Sequence, residues 1–411
     1  MAEPSPFAIG ERIRQLRTQR SPRMTQLALA ERAGVSVDLV SKLEQGAKQT
    51  ASLPSLKAIA TALDVDLAAL LSDPSRPAAP PPRPAAAVDP GIDPVEVARL
   101  AERTDVGAGT LDTIDAIVDR LARDYSREPA GWLLPKVNDR LARVVRLLDE
   151  RARLDEHRRL LVAAGWLETL RATLAFDLHD LAAAEASRTV AHRLGVQAEH
   201  PEIVAWTLEL RAWWALVAQR FREAIDFARA GQAAAPQRSS AMAQLAVQEA
   251  RTWARLGDRR ETTAALRRAA VTLAALPTPA HPEHHLVFDG SKLHFYAATC
   301  YAFLGMPDPA EEHAREVIYQ CSDGRWRGRL SSSHVDLALA RVHRGEVDGA
   351  AEAGLRALTM FETPSPGTLW RSSDLHRALR PHRDVAEVAD WRERYALSRR
   401  AAQRALPSPA G

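Results

Sequence analysis

Apolar residues recur at helical spacing along nearly the whole chain. Ile9, Ile13 and Leu16 fall at i, i+4 and i+7, one stripe of an amphipathic helix. The spacing returns at Leu111, Ile114, Ile117, Val118 and Leu121, and again through Val137, Leu141, Val144, Val145, Leu147 and Leu148. There is no sustained period-two run of β-branched and aromatic residues, and no Asn-Gly or Asp-Gly hairpin between two such runs. Those are the marks of strands. Alanine, leucine and arginine dominate, and all three favour helix. The pattern predicts an all-α protein.

One segment interrupts it. Between Ser72 and Pro94 there are eight prolines in 23 residues. Proline fixes φ and lacks an N–H, so neither helix nor sheet ladder runs through such a stretch. Residues 73–94 are predicted to be a flexible Pro/Ala-rich linker with polyproline II character. It divides the 411 residues into a small domain, 7–72, and a large helical part. In that part 95–159 are read as a lead-in bundle and 160–395 as a repeat domain.

Local punctuation gives the first domain five helices. Helix 1 covers Ile9 to Arg20 and is stopped by Pro22. Thr25 caps helix 2 and Gly34 ends it; Ser36 caps helix 3, Val37 to Gln45, and Gly46 closes it. These are the residue types that satisfy helix ends. Helix 4 is Leu56 to Leu63, with Pro54 at or before its first turn, where proline is tolerated. A short fifth helix spans Asp66 to Leu71. Two helices joined by a tight Gly-containing turn form a helix-turn-helix. At ~100° per residue, Val40, Leu43, Leu39 and Ser36 share one side of helix 3. Ser41, Gln45, Asp38 and Lys42 lie opposite, with Val37 at the margin. A recognition helix needs this division: an apolar face that holds it and a polar face that reaches into the major groove.

The stretch MTQLALAERAGVSVDLVSKLEQG resembles the lambda/434 repressor-Cro, or XRE, class of helix-turn-helix. The matching positions are Thr25-Gln26, Leu29-Ala30, Ala33-Gly34-Val35-Ser36, Val40, Leu43-Glu44 and Gly46, then Leu56 and Ile59-Ala60. The resemblance covers about residues 9 to 71. The connection Arg20 to Met24 is longer than is common in that class. The resemblance implies that Gln26 bonds a phosphate oxygen and that Val37, Asp38, Ser41 and Lys42 face base edges. Ser36 and Lys48 join this DNA-facing set. It also implies a structural ion pair between Arg17 and Glu44. Asp38 has two readings: it accepts from a cytosine amino group or it caps the helix N-terminus. Val37 either touches a thymine methyl or is partly buried.

Charge agrees with a DNA partner. The chain has 55 basic and 52 acidic residues, net +3, and only five of the basic residues are lysine. From Phe7 to Lys57 there are nine basic and four acidic residues, so the excess sits in the first domain. Such an excess supplies salt-sensitive phosphate affinity.

The large part carries an internal repeat. Five turns are anchored at Leu178, Gln219, Gly257, Gly305 and Gly345, 41, 38, 48 and 40 residues apart. Five residues beyond each stands a small one: Ala183, Ala224, Thr262, Ala310 and Ala350. Seven further on come Val190, Gly231, Ala269, Val317 and Ala357. Seven before the last four anchors stand Ala212, Ala250, Ala298 and Ala338, while Arg171 breaks the rule in the first unit. Small residues at fixed offsets let helices approach closely. The region from about Leu160 to Glu362 resembles a tetratricopeptide solenoid of about five helix pairs. The long step contains PTPAHPEHH, 277–285, read as a loop insertion.

Other chemistry is sparse. His281, His284, His285 and the nearby His294 lack helical ligand spacing, and they are read as a solvated loop, with no metal. Cys300 and Cys321 are read as small core residues among Tyr296, Tyr301 and Phe303. Trp166, Trp206, Trp213, Trp214 and Trp253 sit at helical spacing and are read as core, with the lining of a concave ligand site as the alternative. Nucleophile-elbow, phosphate-loop and dinucleotide motifs are absent, so no catalytic residue and no cofactor are expected. No apolar run approaches the ~18 residues of a membrane span, and no secretory signal is visible. A cytoplasmic protein is expected. The whole plan is similar to actinobacterial transcriptional regulators and to peptide-sensing regulators of Gram-positive bacteria. That implies a regulator that binds operator DNA, as a homodimer, with a repeat domain for dimerisation, sensing or both. Its effector stays open between a peptide, a small molecule, a protein partner and none. The alternative is a repeat scaffold for a protein partner, localised by its helix-turn-helix.

Overall fold

The computed structural model of the chain describes residues 7–20, 23–48, 51–65, 67–70, 104–323, 326–361 and 364–404. Every regular element among them is a helix, which is the fold class expected from the hydrophobic spacing. The chain divides into two compact units, Met1–Asp93 and Pro94–Gly411. The predicted linker, 73–94, lies outside the described residues.

The first unit contains α1 (Phe7–Thr18), α2 (Gln26–Ala33), α3 (Val37–Glu44), α4 (Leu53–Ala62) and α5 (Leu67–Leu70). Thr25 Oγ1 accepts from the Ala28 N–H at 3.1 Å and Ser36 Oγ from the Leu39 N–H at 3.2 Å, so both expected caps form. Gly34 and Gly46 take positive φ, 62° and 72°. The α4 cap is Ser52, whose Oγ accepts from the Ser55 N–H. That places Pro54 inside the first turn and starts the helix three residues earlier than the pattern implied. Ile9, Ile13, Leu29, Val40, Leu43 and Ile59 meet in one core. Each such side chain contributes about 1.5–3 kcal/mol by leaving water.

In the second unit the helices stack as antiparallel pairs. A lead-in pair, α6 (Ala108–Asp124) and α7 (Ala130–Leu148), precedes α8 (Leu154–Asp177) with α9 (Leu181–Gln197), and α10 (Pro201–Val217) with α11 (Phe221–Ala234). Then come α12 (Ser240–Arg255) with α13 (Arg259–Ala274), α14 (Gly290–Phe303) with α15 (Pro307–Gln320), and α16 (Arg327–Arg344) with α17 (Val347–Thr359). A last pair, α18 (Pro366–Ala378) and α19 (Ala386–Arg404), follows. The first helix of each pair also packs on the first helix of the next. The lead-in pair stacks on α8 in the same way, so it extends the array. Helix α8 runs unbroken across position 160, and α19 continues past Trp391 to Arg404, with Trp391 and Tyr395 buried in the terminal core.

The repeat register differs from expectation in one unit. Four turns sit where they were anchored, with positive φ at Gln219, Gly257, Gly305 and Gly345. The first lies one residue later than Leu178, at His179, φ 60°. Counting from His179 gives Ala172, Ala184 and Ala191 in the three columns, all fully buried. The exception at Arg171 therefore disappears. A left-handed residue that is not glycine gave the sequence no marker, and neighbouring alanines fitted either register.

Candidate nucleic-acid interface

Helix α3 is held from below. Val40 and Leu43 are buried in the core of the first unit, and α1 crosses behind Leu43. Ser36, at the N-cap, and Val37, Asp38 and Lys42 are exposed, and Ser41 is half-buried. Val37 keeps 39% of its surface in water, so its apolar side chain is available at the start of the helix. Lys48 is exposed just beyond, its N–H donating to the Lys42 carbonyl at 3.0 Å. Ser36, Val37, Asp38, Lys42 and Lys48 are thus accessible on α3 and the turn after it, and Ser41 partly so, with Ser36 at the N-cap on the Val40–Leu43 side of the helical wheel.

Several details were not legible in the motif. Asp38 is not the N-cap, which is Ser36. It lies in the first turn, where the helix dipole favours a carboxylate, and its Oδ2 is 2.7 Å from Lys42 Nζ. Both side chains are more than half exposed, so this pair is weak and screened by salt, and a phosphate or base can displace it. Ser41 Oγ accepts from Gln45 Nε2 at 3.1 Å. Gln26, expected to reach a phosphate, donates Nε2 to Glu44 Oε2 at 2.7 Å. A phosphate contact must use its second amide hydrogen or exchange this bond.

Arg17 and Glu44 form the expected ion pair, and it is bidentate. Nε and Nη2 meet the two carboxylate oxygens at 2.7 Å each, while Nη1 donates to the Met24 carbonyl at 2.7 Å. Burial works to raise the Glu44 pKa, but the bonds from Arg17 and Gln26 outweigh it and hold the carboxyl below its usual range. The Glu44 hydrogen bonds likewise raise Arg17. This fork fastens α1, the start of α2 and the end of α3 together. Arg20 is used similarly, donating to the Leu63 carbonyl at the end of α4. Arg14, Arg23, Arg32, Lys42, Lys48 and Lys57 remain exposed.

The second unit has a polar interior along its first helices. Glu209 of α10 accepts from Gln244 and Gln248 of α12 at 2.9 and 2.5 Å, and Gln244 also donates to the Tyr296 hydroxyl at 2.8 Å. Arg371 of α18 donates to Asp336 of α16 at 2.7 Å, both buried. Arg255 of α12 pairs with Asp374 of α18, three pairs further on. Composition gave no sign of this network, because its members lie tens of residues apart.

Two readings of the sequence change. The histidine segment is not a solvated loop: Glu283, Leu286 and Phe288 are buried, and His284 and His285 face α6. Cys300 packs near Tyr296, Tyr301 and Phe303 as expected, but Cys321 belongs to a separate core with Val317, Trp326 and Leu330. Among the described residues no three His, Cys, Asp or Glu side chains are placed to hold a metal ion, and no helix is long and apolar enough to cross a membrane.

Residues 8–71 match the model of a helix-turn-helix domain, over the five helices of the first unit. No curated protein matches the chain. Among solved structures, the apo form of the competence regulator ComR from Streptococcus vestibularis is 14% identical, over 90% of this chain and 97% of that one, with a TM-score of 0.35. Apo ComR from S. thermophilus is 13% identical, over 90% and 99%, TM-score 0.35. Bacillus thuringiensis PlcR, solved with the peptide PapR7 and DNA, is 10% identical, over 92% and 100%, TM-score 0.32.

Proposed function

We propose that the chain is a sequence-specific DNA-binding transcriptional regulator of the XRE type, and not an enzyme. Helix α3 enters the major groove with Val37, Asp38, Ser41 and Lys42 toward base edges, while Gln26, Ser36 and Lys48 engage the backbone around it. The observation that carries this reading is the division of α3. Val40 and Leu43 are buried while Val37, Asp38 and Lys42 are exposed, which is what a docked recognition helix requires. The helix-turn-helix match over residues 8–71 supports it.

One such helix offers few base contacts. The regulator therefore acts as a homodimer on two half-sites about one helical turn, ~34 Å, apart. The repeat array supplies the dimer contact, a sensing face or both, and the protein works in the cytoplasm. An effector switches it only by binding one arrangement of the dimer more tightly than the other.

Gel shifts on the intergenic DNA upstream of its own gene, at two salt concentrations and against scrambled duplex, test this. The expected result is preferential binding that weakens with salt and that Lys42→Ala reduces. Equal binding to every duplex, or none, overturns the reading.

A further inference from the structure

The first helices of neighbouring pairs pack directly, α10 on α12, but the second helices α11 and α13 hardly touch. Between them an open groove of about 1010 Å³ runs along α13, with α12 as its floor. The part of α13 that lines it extends from Arg259 to Thr272, a length of ~20 Å at the rise of an α-helix. The lining positions recur every three to four residues, so one face of α13 is turned into the groove.

Below the groove one carboxylate fixes its width. Glu249 of α12 is buried. It accepts from Arg229 Nε and Gln232 Nε2 of α11 at 2.9 Å each, and from Arg268 Nη2 of α13 at 2.6 Å. These bonds tie both splayed helices to α12, and they occupy Arg268.

The other arginines of that wall are not so used. Arg259, Arg260 and Arg267 are exposed along the groove, and among the described residues none of them has a carboxylate partner. No acidic side chain lines the groove. Its remaining surface is largely apolar. Helices α12 and α13 run antiparallel, which brings Met242 to the end where Val271 stands. Val271 keeps 64% of its surface in water. The groove is therefore cationic from the start of α13 to its middle and apolar beyond.

We propose that this groove binds a single-chain fatty carboxylate, its head between Arg260 and Arg267 and its chain over Met242 and Val271. The two arginines lie seven residues apart on one face of α13, so both guanidinium forks can turn to one carboxylate, whose geometry they match. The chain covers apolar surface that is otherwise left in water. The volume is that of a small-molecule site, and its length suits an extended chain better than a ring system. Use of the groove as the effector site rests on the reading of the protein as a regulator; the binding itself does not.

The test titrates dodecanoate, below its micelle concentration, into the full chain by calorimetry. No DNA is present, so failure here is distinguishable from failure of the DNA-binding reading. The expected result is saturable binding at one site per chain. Arg260→Gln with Arg267→Gln should weaken it about tenfold. Val271→Glu sets a carboxylate at the apolar end of an exposed wall. It should weaken binding at least about tenfold and leave the helical circular dichroism unchanged. Dodecyltrimethylammonium, with a similar chain and a cationic head, should not compete. No binding to the wild type, binding that neither variant moves, or competition by the cation overturns the proposal. So does a Val271→Glu protein that sediments as a monomer where the wild type is a dimer, because a second copy of the chain then covers the groove.

Discussion

Gly10 in α1 and Leu43 in α3 meet backbone to backbone: a β-carbon at position 10 would lie 1.9 Å from the Leu43 carbonyl oxygen. The obstacle is main chain, so no rotamer relieves it. Gly10→Ala must push α3 away from α1 and is expected to cost about 3 kcal/mol of local stability. Hydrogen exchange of α1 and α3 in the full chain reads this directly. DNA binding should fall with it, because α3 is the helix displaced. Unchanged protection in both helices would show that the crossing can yield.

The Arg17–Glu44 fork predicts a pH effect of definite sign. Glu44 is held below the ordinary glutamate value of 4.5. Its stabilisation is therefore complete above that value and is lost as pH falls through the lower folded-state pKa. Protection of α1 to α4 should drop in acid. Glu44→Leu alone leaves Arg17 buried without its partner and should cost about 3–5 kcal/mol, whereas adding Arg17→Met should recover most of it. A double variant as unstable as the single one would contradict this account.

Asp336 should behave in the opposite sense. Burial raises its carboxyl pKa even though Arg371 beside it acts to lower it. The folded state thus prefers the protonated form relative to the unfolded chain. The contribution is present below the ordinary aspartate value and fades as pH rises through the folded one. Between pH 4 and 7 the wild-type repeat unit should lose stability from this group, and Asp336→Asn should remove that part of the slope. Denaturant midpoints of the two proteins across that range decide it; parallel curves would exclude Asp336 as the cause.

Position 219 holds a glutamine where three other turns hold glycine, at φ 60°. A side chain in that region costs about 1 kcal/mol. Gln219→Gly should stabilise the array by about that much and raise Tm by about 2 °C. Gly257→Ala should do the reverse through backbone strain alone, since a β-carbon there meets nothing within 4 Å. Calorimetry showing equal Tm values for all three proteins would remove the explanation.

The amino-acid sequence made most of what acts within a turn or two of helix legible. Thr25, Gly34, Ser36 and Gly46 set helix ends by local hydrogen bonding and backbone freedom, and Val40 and Leu43 set the buried side of α3 by period alone. The small-residue columns also read true, because close packing of neighbouring helices leaves its mark at fixed spacing. The first turn was misplaced for the converse reason: His179 carries a left-handed backbone without a glycine to announce it. Tertiary structure alone decided that Gln26 turns onto Glu44, that Glu209 gathers Gln244 and Gln248, and that the histidine segment folds inward. His281 meets Arg123 across 158 positions. No local preference encodes such a meeting, because it exists only once the intervening pairs have stacked and brought α6 beside the connection that precedes α14.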